Sequence, residues 1–436
     1  MGVNLLPSRR PLLSIHPGSV RRTLLGVNIS HRSPVASHLR QHFAAALRIA
    51  IVCACLVGAW LSWKLERADE LFRQETAQAL RSAIQIEPDA WDYYIRLAQI
   101  DDSHAQALLE TALRLNRYNA GAAIELGLHY ETEGDYARAE KVLLQASEVD
   151  RTYLPRWSLA NFYLRRNNLA AFWVWARRAA EMPSEDIGAL FDLCWRVFPD
   201  PDEIARMVVN DKPEVLRQYL NFLITKNQLN AVAATAQRLI ATGTAGQDRP
   251  LLLSLVNQLI TANDAIAASA VWRDLTERRW VVAESSVPNN SEFTRDPLPV
   301  SFDWAISSYN GLHSWPGPVG LETEFTGGEP ESCEIAEQIV ILGRGDYTME
   351  YSYRTTKIPV GTGIRWQLID VKSGATLAES TYLSSEAPKH ETVPFSIQRD
   401  ASLLSLRLLY QRPVGTTRIS GTLVIRSIDL KVHRSA

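Results

Sequence analysis

Acidic residues are missing from the first 65 positions. No Asp or Glu precedes Glu66, while Arg9, Arg10, Arg21, Arg22, Arg32, Arg40 and Arg48 all fall in that stretch. The 436-residue chain totals −2, so the residues after Arg48 together carry −9. A mildly acidic body excludes a nucleic-acid-binding role for the bulk of the chain. Cysteine is equally scarce. Of four, Cys53 and Cys55 lie in an apolar run, and Cys194 and Cys333 stand far apart in different kinds of sequence. They give neither a disulfide framework nor a metal-ligand spacing, although a single Cys194–Cys333 bridge stays open. Catalytic signatures are lacking too: beyond Lys64 the sequence has no nucleophile elbow, phosphate loop, His-x-x-x-His pair or Cys-x-x-Cys. His104, His129, His313 and His390 are isolated, and Asp101-Asp102 and Glu322/Glu324 read as solvated charge. We therefore expect no enzyme, no cofactor and no metal.

What is present begins with one long apolar run. Residues 43–63, FAAALRIAIVCACLVGAWLSW, are apolar except for Arg48 and Ser62, and as a helix they reach about 30 Å, the thickness of a bilayer core. Arg48 sits where its stem reaches the headgroups, and Trp60 and Trp63 mark the other boundary. Arginine before the run, against the mixed charges of Lys64, Glu66, Arg67, Asp69, Glu70, Arg73 and Glu75 after it, predicts a cytoplasmic amino terminus with everything after Lys64 outside the cytoplasm. A leader of about forty residues is too long for a cleaved signal peptide. Residues 1–42, with Pro7, Pro11, Pro17 and Pro34 among scattered Ser and Arg, read as a disordered basic cytoplasmic tail suited to anionic lipid. An Arg-rich, acid-free leader also suits a mitochondrial transit peptide, so the mitochondrial inner membrane stands as an alternative to a periplasmic, extracytoplasmic location.

Past the apolar run the chain repeats itself. Residues 126–146 align with 159–179 at an offset of 33, matching Leu126 with Leu159, Gly127 with Ala160, Tyr130 with Tyr163, Gly134 with Asn167 and Ala146 with Ala179. Small residues recurring at this period mark helix pairs whose backbones cross closely, and Gly134 supplies a left-handed residue between two helices. Fainter copies turn at Asn227-Gln228-Leu229 and Asn263-Asp264-Ala265, with a degenerate pair over residues 187–209 broken at Pro199 and Pro201. The pattern Leu126-Gly127, Tyr130, Gly134, Tyr136, Ala139, Leu143, Ala146 resembles the tetratricopeptide repeat. That resemblance is specific over residues 84–182. It implies a right-handed all-α solenoid of five or six helix pairs over residues 64–285, whose concave face holds a peptide or a partner's helix. Carried onto this sequence, the face comprises Arg96, Leu128, Glu131, Trp157, Asn161, Leu164 and Arg165.

Beyond a linker at 286–298 the pattern changes to period two. Tyr347, Met349, Tyr351 and Tyr353 alternate with polar residues, as do Ile364, Trp366 and Leu368; Val393, Phe395 and Ile397; Leu404, Leu406, Leu408 and Tyr410; and Leu423 and Ile425. Short alternating strands without helices predict an all-β sandwich over residues 299–436. A phase slip at Ser427 predicts a bulge. With Phe302-Asp303-Trp304 as an opening strand, the order resembles the jelly-roll of carbohydrate-binding modules. In the Gly/Pro-rich loop of residues 308–320, Tyr309, Asn310, His313 and Trp315 offer a ring and polar donors to a sugar.

The expectation is a multidomain chain: a single transmembrane helix, a tetratricopeptide-like solenoid and a jelly-roll sandwich. Such a protein serves as a membrane-anchored scaffold or adaptor in a cell-envelope assembly, with polysaccharide biosynthesis or export as one candidate setting. The alternative is a carbohydrate-binding or carbohydrate-processing envelope protein whose sandwich holds the ligand.

Overall fold

The computed structural model of the protein describes residues 34–182, 186–284, 286–400 and 402–432. It divides into two compact units, Met1–Asp101 and Asp102–Ala436. In the first unit, α1 (Pro34–Phe72), α2 (Ala77–Ile86) and α3 (Trp91–Ala98) succeed one another. Proline is well placed at the first turn of α1, where its missing N–H costs nothing. Residues 34–42 of the expected tail are thus helical, and residues 1–33 of it lie outside the described residues. No break falls at the expected boundary of 63/64, because no Gly or Pro interrupts the chain there. Within α1, Ala45–Phe72 is long and apolar enough by length and composition to cross a membrane. Every residue from Ala45 to Trp63 is exposed. Burial starts at Ala68, which shares a small core with Ala83 and Tyr93. The Tyr93 ring stacks on Phe72 with centroids 4.9 Å apart, and its hydroxyl donates to Asp69 Oδ1 at 3.0 Å.

The second unit opens with a 3-10 turn, Asp102–His104, and eleven α-helices among the described residues. These are α4 (Ala105–Leu115), α5 (Ala120–Thr132), α6 (Tyr136–Val149), α7 (Tyr153–Arg165), α8 (Leu169–Ala180), α9 (Gly188–Val197), α10 (Pro201–Met207), α11 (Pro213–Thr225), α12 (Leu229–Thr242), α13 (Ala245–Thr261) and α14 (Ala265–Glu277). One turn design recurs. Gly134, Asn167, Asn227 and Asn263 all have positive φ, at 83°, 55°, 55° and 59°. After Gly134, Asn167 and Asn263, the next side chain (Asp135, Asn168 or Asp264) accepts the backbone N–H three residues on. Left-handed residue, then N-cap, is what ends one helix and starts the next within three residues. The close crossing is equally plain: a Cβ built on Gly127 would lie 2.7 Å from Leu143 Cγ. Leu143, Ala139 and Ala146 are buried beneath it.

Among the described residues ten strands follow: β1 (Ala305–Ile306), β2 (Leu312–Gly317), β3 (Gly320–Thr326), β4 (Ser332–Leu342), β5 (Gly345–Thr356), β6 (Ile364–Asp370), β7 (Thr376–Glu379), β8 (Lys389–Ile397), β9 (Ser402–Gln411) and β10 (Ser420–Val432). They form two five-stranded antiparallel sheets, ordered β1-β4-β9-β6-β7 and β2-β3-β10-β5-β8. The apolar sets expected on β5, β6, β8, β9 and β10 meet in one core around Trp304, Trp366, Tyr351 and Tyr410, with Val393 half-buried at its edge. The register of β10 against β5 slips between Ile425 and Ser427, as the phase of the sequence predicts.

Three local expectations are corrected. Phe302-Asp303-Trp304 is a turn and the strand begins at Ala305. Asp303 is fully buried, pairs with Arg295 at 2.6 Å and accepts from the N–H groups of Leu298 and Trp304, which a ladder would otherwise engage. The loop of residues 308–320 contains β2, which pairs with β3 along its whole length. Residues 286–298, expected as a linker, are built into the domain. Val287 and Ser291 accept from Leu430 and Ile428 of β10, and Asn289 and Gln338 exchange two hydrogen bonds. All four cysteines are free, so no Cys194–Cys333 bridge exists. Burial pushes the Cys194 thiol up to about 12, which leaves it unreactive.

Candidate functional site

The expected docking residues of the second unit lie on α5 and α7. Helix α5 starts where Asn119 accepts from Ala122 N at 2.8 Å. Helix α7 has no side-chain cap, but Tyr153 and Trp157, one turn apart, stack with centroids 5.9 Å apart. The two helices are tied at their far ends: Arg165 Nε and Nη2 donate to Glu131 Oε1 and Oε2 at 2.7 and 2.6 Å. A bidentate guanidinium–carboxylate pair fixes orientation as well as distance. Two expected site residues are therefore engaged with each other.

That bridge defines a face. Leu128 lies one turn before Glu131, and Asn161 and Trp157 lie one and two turns before Arg165, so helical spacing aligns them with it. Leu128 is 41% exposed, Trp157, Asn161 and Leu164 are half-buried, and Asn161 Nδ2 donates to Trp157 O at 2.9 Å. Arg96 belongs to the first unit, where it pairs with Glu75 at 2.6 Å and donates to Gln99.

Behind the face the helices are locked from below. Tyr130 OH donates to Glu110 at 2.6 Å and Tyr163 OH to Glu140 at 2.6 Å. Burial, with Glu140 beside it, pushes the Tyr163 hydroxyl up to about 12. These tyrosines stay neutral donors and serve as fixings.

Charge is uneven along α7 and α8. Residues 151–180 hold six arginines, Arg151, Arg156, Arg165, Arg166, Arg177 and Arg178, and no Asp or Glu. Among the described residues only Arg165 of these has a carboxylate partner. Arg166 lies over the Tyr136 ring at 3.6 Å and Arg178 over Trp175 at 4.5 Å, while Arg156 donates to a backbone carbonyl. Leu154 and Val174 are exposed among them.

In the β domain, His313 and Trp315 stand on the outer face of β2, opposite Glu324 and Glu322 of β3. Trp315 is 41% exposed and lines a cavity of about 540 Å³ together with Pro299, Val300 and Trp304. Asn310 is exposed, and Tyr309 turns inward to pack on the core. The structure thus joins His313 with Trp315 and leaves Tyr309 out. A second cavity of about 540 Å³ opens beside the β10 bulge, lined by Ser352, His390, Arg426 and Ser427 among others. None of these stood out as site residues in the sequence; the phase slip at Ser427 is the one signal that marks the place.

No family model matches the chain, and no curated protein matches it. Solved structures similar to parts of it include YrrB, described as a TPR protein with an unusual peptide-binding site, at 15% identity over 47% of this chain and 94% of that one, with a TM-score of 0.23. Pseudomonas aeruginosa pilF matches at 18% identity over 49% of this chain and 92% of that one, with a TM-score of 0.24. A CBM4 structure matches at 13% identity over 34% of this chain and 99% of that one, with a TM-score of 0.25.

Proposed function

We propose that the chain is a non-catalytic, membrane-anchored adaptor. In this reading α1 spans the bilayer with the amino terminus in the cytoplasm, the helices form a right-handed tetratricopeptide-like solenoid, and a jelly-roll sandwich completes the extracytoplasmic part. The partner is a protein with an acidic segment. The observation that carries the reading is the face of α5 and α7, where Leu128, Trp157 and Leu164 leave apolar surface accessible beside the Glu131–Arg165 bridge, with α7 and the following α8 bearing arginines and no Asp or Glu. Apolar anchors next to charged side chains are what a complementary partner desolvates and reads. A cell-envelope assembly, including one that makes or exports polysaccharide, is the setting we favour.

The test is retention of partners by the detergent-extracted full chain. Leu128→Glu places a carboxylate at the centre of the face, where it repels an acidic segment. We expect one or a few proteins retained by the parent to fall at least about tenfold in the variant, the scale of losing a buried anchor. An unchanged set of retained proteins contradicts the proposal.

A further inference from the structure

The cavity at the β10 bulge has a chemistry of its own. Its floor is the outer face of β5, β8 and β10, and its volume of about 540 Å³ suits a small ligand. Ile425 faces Tyr353 and Ser427 faces Ser352, so Arg426 is the extra residue between two paired positions. Bulges re-aim side chains, often beside binding sites. Arg426 is exposed at the cavity and pairs with no carboxylate among the described residues. Across the sheet Ser352 is in register with His390, and Ser352 Oγ lies 3.1 Å from His390 Nδ1. Glu292 adds an acceptor to the lining, without a cation partner among the described residues.

The balance of charge selects the ligand. Lys389, also in the lining, is neutralised by Glu391 at 2.5 Å, which leaves Arg426 as the uncompensated permanent cation. One guanidinium matches one carboxylate through two parallel hydrogen bonds. A phosphate monoester carries close to two charges at neutral pH and would sit against the Glu292 carboxylate, which disfavours it. Serine, histidine and glutamate are donors and acceptors in the mixture that vicinal hydroxyls require. We propose that this cavity binds a carboxylated sugar, a uronic acid residue of a glycan, with Arg426 on its carboxylate and Ser352, His390 and Glu292 on its ring hydroxyls. The site stands independently of the helical docking face.

Calorimetric titration of the full chain in detergent with glucuronate, glucose and inorganic phosphate tests this. Glucuronate should bind at least about tenfold more tightly than glucose, as one charge-assisted contact provides. Arg426→Gln, a surface change checked for folding by circular dichroism, should bring glucuronate down to the level of glucose. Ser352→Ala should weaken both sugars together. Equal binding of the two sugars by the parent, a preference for phosphate, or no binding of glucuronate overturns the proposal.

Discussion

At the residue scale the most telling side chain is Glu334 on β4. Its carboxylate lies 3.6 Å from Arg407, which also approaches Glu337 at 3.4 Å, so two acids share one cation. Burial, and then the Glu337 carboxylate, push Glu334 up to about 7. A carboxyl whose folded value is raised holds its proton more tightly when folded. Its stabilising contribution is therefore fully present below the unfolded value of 4.5 and is lost as pH rises through about 7. The side chain is a third exposed, which keeps the effect small. Glu334→Gln should flatten the decline of thermal stability between those two pH values and leave stability at acid pH nearly unchanged. An unaltered slope would show that another group titrates there.

At the scale of elements, the α5–α6 crossing depends on Gly127. Its missing Cβ leaves room for Leu143, and an alanine would stand 2.7 Å from Leu143 Cγ. Overpacking of this kind costs about 1–3 kcal/mol, against about 1 kcal/mol gained in helix propensity. Gly127→Ala should lower the thermal midpoint, and adding Leu143→Ala, which removes the clashing atoms, should cost less than the two single changes summed. Strict additivity would mean that the contact is not the constraint.

This crossing was readable in the sequence because its causes are local and repeated: a small residue, a left-handed turn and an N-cap at a fixed period. Strands with strict alternation, such as β5 and β9, were readable for the same reason. Strand β4 was not, since its register slips between Glu334 and Ala336 and its buried residues change phase. Strand β2 was missed because Trp315-Pro316-Gly317 carries turn residues on a short edge strand, where proline is tolerated. The docking face was legible as positions. The mutual engagement of Glu131 and Arg165, which lie 34 residues apart, was not. The bulge cavity brings Ser352, His390 and Arg426 from three strands, and no spacing announces that meeting.

At the scale of the whole molecule, the sandwich is seated on the last helices of its unit. Asn257 of α13 accepts from Ser301 N and Oγ at 2.8 and 3.0 Å and donates to Pro299 O, and Trp272 meets Phe302 edge-on at 5.7 Å. The run of exposed apolar residues on α1 requires lipid or another apolar cover. A reporter enzyme fused after Ala436 should be active only outside the cytoplasm. Cytoplasmic activity would reverse the proposed orientation.

Docking of a protein on the α5–α7 face, as proposed, can be captured in place. A photo-crosslinking residue placed at Leu128 or Trp157 in membranes of the native host tests it most directly, with Ile266 of α14, which is 74% exposed, as the control position. A discrete protein adduct is expected at Leu128 and Trp157, absent at Ile266 and suppressed by high salt because the arginines of α7 and α8 contribute to capture. No adduct at Leu128 or Trp157, or the same adducts at Ile266, would contradict it.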